Sequence, residues 1–185
     1  HWSDVTTIPG MSMEERRQEL LECLACFTAL WHERKNAEPG FDLISMLAHG
    51  EATKNLIDNP MESLGNFLLL MVGGNDTTRN SMSASVLALH DNPDQFAKLV
   101  SQQELIPSMV SEAIRWQTPL AHMRRTVKVD TELGGHTLRA GEKVIMWYVS
   151  GNRDEDKFEN ANELVIDRPN ARNHISFGFG IHRCM

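Results

Sequence analysis

The residues best equipped for chemistry stand together in Phe177-Gly178-Phe179-Gly180-Ile181-His182-Arg183-Cys184. Glycines at 178 and 180 permit positive φ angles and close backbone approach. A cysteine beyond such a turn can sit at a helix start, where free N–H groups stabilise a thiolate. A thiolate is the ligand that a strongly donating axial position on haem iron requires. Phe177 and Phe179 could shield the sulfur, while His182 and Arg183 could meet carboxylates. Two plainer readings stand beside this one. Cys184 could be a small buried hydrophobe after a glycine turn. A zinc site from His174, His182 and Cys184 is the other, although it lacks the paired close spacings of common structural sites.

Three further groups carry chemical types. Gly73-Gly74-Asn75-Asp76-Thr77-Thr78 places weak helix formers and a carboxylate–hydroxyl pair inside an otherwise apolar helical stretch. Threonine hydroxyls can divert a carbonyl from the helical ladder, so the helix is expected to open there. Glu112 and Arg115 lie three apart and share a helix face; on their own they would read as a solvated surface pair. Cys23 and Cys26 have C-x-x-C spacing, but they lie within an amphipathic helix and are read as packing residues.

The elements that must position these groups are mostly helical. Met13 to Asn36 repeats Leu20, Leu24, Phe27 and Trp31 at helical steps, and Ser12 with Glu15 has capping-box spacing. A short helix is predicted from Phe41 to Gly50, a long one from Pro60 to about His90, and two more over Pro93–Val100 and Leu105–Trp116. After Pro119 the pattern alternates, predicting strands over Thr126–Leu133, Thr137–Leu138 and Lys143–Val149. Gly151 to Asn173 is polar and irregular, with Leu164-Val165-Ile166 alone strand-like. A loop of that length is usually functional or disordered. The fold class is therefore mainly α with a small β-sheet region. One domain spans 1–185: a helical part about 11–118, a small sheet and meander about 119–173, and a binding loop at 174–185.

A hydrophobic fraction of 41% supports a packed core, and the net charge of −7 excludes a phosphate-reading surface. No stretch approaches the roughly 20 apolar residues of a membrane span. Three cysteines make no disulfide framework, so a reducing cytoplasm is expected.

These motifs together resemble the cytochrome P-450 family. Phe177, Gly180 and Cys184 stand as in its F-x-x-G-x-x-x-C signature, with His182-Arg183 as its H-R-C variant. Gly73-Gly74-Asn75-Asp76-Thr77-Thr78 resembles its oxygen-activating helix motif, and Glu112-Ala113-Ile114-Arg115 its E-x-x-R motif. The family pattern continues with a glycine two residues past the cysteine. The chain, from His1 to Met185, is accordingly expected to be the central and C-terminal part of that fold. The runs Ile114 to Arg125 and Met146 to Arg153 look closest to the bacterial subfamily that hydroxylates the terminal carbon of alkanes and fatty acids.

The resemblance implies haem b held through Cys184, O2 as co-substrate, and electrons ultimately from NAD(P)H, delivered by a ferredoxin and its reductase. Asp76 and Thr77 would handle oxygen and its protons beside Gly73 and Gly74. Arg125, His182 and His122 would meet the haem carboxylates. Glu112, Arg115 and Arg168 would lock the loop before the cysteine, and Leu69, Val72, Leu120 and Ala121 would line the substrate pocket. A non-enzymatic haem-binding or sensor protein is the rival expectation, and an isolated piece that binds haem poorly is another.

Overall fold

The computed structural model describes residues 2–5 and 8–184, the side chain of His182 excepted. Two compact units divide the chain, His1–Asp76 and Thr77–Met185.

In the first unit, α1 (Trp2–Val5) leads to α2 (Met13–Lys35), α3 (Leu43–His49) and the opening part of α4 (Pro60–Asp91). Helix α2 starts where Ser12 predicts. The Ser12 hydroxyl accepts from the Glu15 N–H at 3.2 Å, and the Glu15 carboxylate accepts from the Ser12 N–H at 2.9 Å. Asp42 caps α3, its carboxylate accepting from the Ser45 N–H at 3.0 Å. Apolar side chains of α2, α3 and α4 meet in one cluster of Trp31, Ile44, Ala48 and Phe67, with the Phe27 ring stacked on Phe67 at 5.0 Å. Burying such rings is the main stabilising contribution here. Cys23 is fully buried, as a packing residue should be, but Cys26 is exposed, so the packing reading holds for Cys23 alone.

The expected opening of the long helix is not observed: α4 is continuous from Pro60 to Asp91 through both glycines. Hydroxyls of Ser81 and Ser85 reach back onto its ladder, donating to the Thr77 and Ser81 carbonyls at 2.8 and 2.7 Å.

In the second unit, α4 is followed by α5 (Pro93–Ser101) and α6 (Ile106–Gln117), both with proline in the first turn. Then come β1 (His122–Thr126), β2 (Thr131–Leu133), β3 (His136–Leu138), β4 (Lys143–Trp147) and α7 (Tyr148–Gly151). Strand β1 pairs antiparallel with β4, Arg125 opposite Val144, and β2 pairs with β3. Gly134 and Gly135, both at positive φ, make the two-residue turn of the second pair.

The predicted strand over Thr126–Leu133 is corrected to two, β1 starting earlier at His122. The Asp130 carboxylate breaks the run by accepting from the Ala140 N–H and the Arg139 guanidinium, each at 2.9 Å. The Lys143–Val149 strand ends at Trp147, where α7 begins. Leu164-Val165-Ile166 is not a strand. The Val165 N–H donates to Glu112 Oε1 and the Ile166 N–H to Gln95 Oε1, so side chains replace a neighbouring strand. Leu164 and Ile166 instead bury themselves beside Ala88, with Leu99, Leu105, Met109 and Trp116 around them.

Candidate functional site

Helix α6 supplies the anchor of the site. Glu112 and Arg115 share its inner face, both 0% exposed, so the solvated-pair reading is overturned. Arg115 grips the carboxylate with two prongs, Nε to Oε2 at 2.7 Å and Nη2 to Oε1 at 2.8 Å. Arg168, 5% exposed, brings a second guanidinium, its Nε 3.1 Å from each oxygen of Glu112. Two cations on one buried anion need further acceptors, and main-chain carbonyls provide them. Arg115 donates to Asn152, Ala161 and Glu163 carbonyls at 2.6, 2.8 and 3.1 Å. Arg168 reaches the carbonyls of Glu159, Asn160 and Glu163. The Arg115 guanidinium also lies over the Phe158 ring, 5.1 Å from its centre. The irregular stretch after α7 is therefore ordered by charge-assisted bonds rather than by secondary structure.

The C-terminal end of α6 carries a second set of contacts. Its last carbonyls have no partner within the helix. Trp116 O accepts from the Arg153 guanidinium at 2.9 Å, Arg115 O from the Thr118 hydroxyl at 2.7 Å, and Ile114 O from the Ser176 hydroxyl at 3.1 Å. Between the two hydroxyls stands Asn152, 0% exposed. Its Nδ2 donates to Thr118 Oγ1 at 2.9 Å and to Ser176 Oγ at 2.8 Å, and its Oδ1 accepts from the Ile175 N–H at 2.7 Å. Sequence reasoning missed Asn152, Thr118 and Ser176. The one signal available was an asparagine followed by arginine at the head of a long irregular loop.

The cysteine segment begins at this anchorage. After Ser176 the chain turns at Gly178 and Gly180, with φ of 72° and 79°. Non-glycine side chains are strained there, which accounts for both glycines. The Cys184 N–H donates back to the Phe177 carbonyl at 2.8 Å, closing the turn. The thiol is exposed. Phe177 and Phe179 do not cover it as expected; they are 43% and 89% exposed, and Ile181 is 96% exposed. The Phe177 ring meets the edge of His174 at 4.9 Å. Burial holds His174 below the usual histidine value of 6.5, helped by the positive charges of Arg115 and Arg183 and opposed by Glu112. The proposed ligand His182 has a side chain outside the described residues. Among the described residues no group of three His, Cys, Asp or Glu side chains is placed to hold a metal ion.

The other predicted residues fall as follows. Arg125 is half-buried on β1, its guanidinium on the Arg124 carbonyl at 3.1 Å, and among the described residues no carboxylate is paired with it. His122, exposed on β1, rests against Trp147 with ring centres 4.8 Å apart. Leu120 and Ala121, both exposed, precede β1. Leu69 (exposed), Val72 (half-buried), Gly73, Gly74 and Asp76 lie on the part of α4 in the first unit. Thr77 opens the second unit and is half-buried.

The donors of the second unit fit a flat apolar group carrying an iron and carboxylates. An accessible thiol stands beside uncovered aromatic and aliphatic side chains, and the space a Cβ at Gly180 would take is open. Arg125, a guanidinium with no carboxylate partner among the described residues, lies in the same unit. Large apolar side chains left bare in one segment mark a binding surface.

Comparison with known proteins gives the family. The family model described as "Cytochrome P450" matches residues 98–185. "Linalool 8-monooxygenase" of Pseudomonas putida is 40% identical over 153 residues, covering 83% of this chain and 37% of that protein. "Steroid C26-monooxygenase" of Mycolicibacterium smegmatis is 35% identical over 190 residues, covering 100% of this chain and 47% of its own length. Among solved structures, "Cytochrome P450-153 from Novosphingobium aromaticivorans" superposes with a TM-score of 0.87 at 51% identity, over 99% of this chain and 45% of that one. The chain thus spans about half, or less, of the length of the relatives it matches.

Proposed function

The chain belongs to the cytochrome P450 family, and from that premise we propose that it is the thiolate-bearing part of a monooxygenase that hydroxylates the terminal carbon of medium-chain alkanes or fatty acids. The observation that carries the reading is the exposed Cys184 thiol at the end of a glycine turn, downstream of a stretch that buried Glu112, Arg115 and Arg168 hold in order. Haem bound there through the thiolate supplies the oxygen chemistry: O2, two electrons and two protons yield one C–OH and one water.

What the protein's own residues contribute is position and protons. Cys184 would ligate the iron, with Phe177, Gly180 and Ile181 against the porphyrin. Arg125, with His122 and His182, would bind the propionates through charge-assisted bonds. Thr77 Oγ1 and the Asp76 carboxylate would hold and pass the protons that oxygen activation consumes. Leu69, Val72, Leu120 and Ala121 are apolar, as a hydrocarbon chain requires. Electrons would come from a ferredoxin and its NAD(P)H-dependent reductase. The cytoplasm is the proposed setting, in keeping with three free thiols.

The terminal position is supported by the wording of Ile114 to Arg125 and Met146 to Arg153, and by the relatives' names. Carbon 8 of linalool and carbon 26 of a steroid are both end-of-chain methyl carbons. Terminal C–H bonds are the stronger ones, so selectivity there must come from positioning.

The test is the CO-difference spectrum of the reduced, haem-loaded protein, on this chain and on one extended at both ends. A thiolate-type Soret band that disappears in Cys184→Ala is expected; a band surviving that substitution overturns the ligand. Product analysis with a ferredoxin system should then give mainly the terminal alcohol. Alcohols spread over internal carbons would refute the terminal assignment.

A further inference from the structure

We propose that Asn152 is a positioning residue for the thiolate: its side-chain amide clips the cysteine segment to the end of α6 and fixes the register in which Cys184 is presented. The inference rests on the reading of Cys184 as iron ligand and deepens it.

The hydrogen-bond directions around Asn152 leave no freedom. The Thr118 hydroxyl gives its proton to the Arg115 carbonyl at 2.7 Å, and the Ser176 hydroxyl gives its own to the Ile114 carbonyl at 3.1 Å. Both oxygens can therefore only accept from the remaining neighbour, and both protons of Asn152 Nδ2 go to them, at 2.9 and 2.8 Å. The amide oxygen takes the Ile175 N–H at 2.7 Å. Every polar hydrogen of the amide is used, in a position with 0% exposure.

Two of the three contacts land on Ile175 and Ser176, the last residues before the Phe177 to Cys184 turn. Glu112, Arg115 and Arg168 make no hydrogen bond to that segment among the described residues; they hold the stretch from 152 to 165. The link from α6 to the cysteine segment runs through Asn152 and the two hydroxyls. Thr118 sustains the clip at a backbone price, since its φ of 49° is unfavourable for a β-branched residue. That strain places its hydroxyl between the Arg115 carbonyl and Asn152.

Aspartate at 152 keeps the shape and removes both donors, so the two hydroxyls must desert α6 or face a carboxylate with no proton to share. Leucine removes all three bonds. The Asn152 main-chain carbonyl, which accepts from Arg115, survives in either variant.

The experiment compares the parent, Asn152→Asp, Asn152→Leu and Ser176→Ala in two measurements. Amide hydrogen exchange of the haem-free protein reads Ile175 and Cys184 against the amides of α2. The CO-difference spectrum of the reduced holoprotein reads the fraction of haem with a thiolate ligand. We expect at least tenfold faster exchange at Ile175 and Cys184, with α2 unchanged, and loss of at least half the thiolate-type signal in both Asn152 variants. Ser176→Ala removes one arm and should shift both readouts in the same direction by less, which serves if Asn152→Leu does not fold. Parental exchange at Cys184 together with a parental thiolate fraction overturns the proposal. Should the parent itself lack a Cys184-dependent thiolate band, the ligand reading fails, and the exchange rates still decide whether the clip exists.

Discussion

Glu112 shows how much a single residue can be asked to hold. Its carboxylate meets two guanidiniums and the Val165 N–H, with no solvent to replace any of them. Removing one member of a buried ionic network leaves uncompensated charge and costs about 3–5 kcal/mol. Glu112→Ala should therefore lower unfolding free energy by that amount in urea and abolish haem retention; a variant that keeps both would show the network to be dispensable. Thr77 differs in kind. Its proposed role concerns protons rather than packing, so Thr77→Ala should leave the melting temperature within a few degrees while diverting electrons to hydrogen peroxide. Unchanged coupling of electrons to product would remove Thr77 from the proton path. The Glu112–Arg115 spacing was legible in the sequence, but its burial followed only from the family resemblance: residues three apart share a face whether or not anything covers them. The cover comes from a loop more than 30 residues later in sequence.

At the level of elements, the starts of helices were readable and the irregular segments were not. Ser12 with Glu15 and the prolines of α5 and α6 act locally, so local sequence announces them. Ser12→Ala removes one arm of the α2 capping box and should cost about 1 kcal/mol, visible as a lower thermal midpoint. No change would mean that the helix end is held by its tertiary packing. Leu164-Val165-Ile166 misled because an apolar run signals burial, not geometry. Its N–H groups found Glu112 and Gln95 instead of another strand. The glycines of α4 misled in the opposite sense, since low helix propensity is overridden where the rest of the helix continues on both sides.

For the whole molecule, acid is the direction of loss. His174 is held below 6.5 by burial first, so the unfolded chain takes a proton before the folded one as pH falls. Its contribution is complete above 6.5 and disappears as pH drops through the folded value. A hydrogen bond favours the same neutral form, because the Ser176 N–H donates to His174 Nδ1 at 3.3 Å. Asp42, Asp94, Asp130 and Asp167 lie below the usual 3.8, through hydrogen bonds first, and their contributions vanish further down the same limb. Stability should decline in two stages on acidification, and His174→Gln should flatten the first stage alone. A flat profile through 6.5 in the parent would deny His174 that role. The family was legible from three short motifs, whereas the placement of Arg125 and the exposure of Phe179 depend on how distant segments fold.

The contacts that order the chain up to the cysteine segment join positions far apart along it: 37 residues from Arg115 to Asn152, 56 from Glu112 to Arg168, 62 from Ile114 to Ser176. All of those partners precede Cys184. Each such loop costs entropy to close, and the cost is met only when its partners have arrived. In vectorial synthesis the ribosome makes α6 first, then the stretch that wraps its charged face, then the residues that clip onto its end. The Cys184 thiol follows all of these partners, so the contacts that order the chain ahead of it can already be in place. A chain able to present Cys184 in register has thereby made these earlier contacts, so capture of haem by the proposed ligand would double as a readout of their assembly.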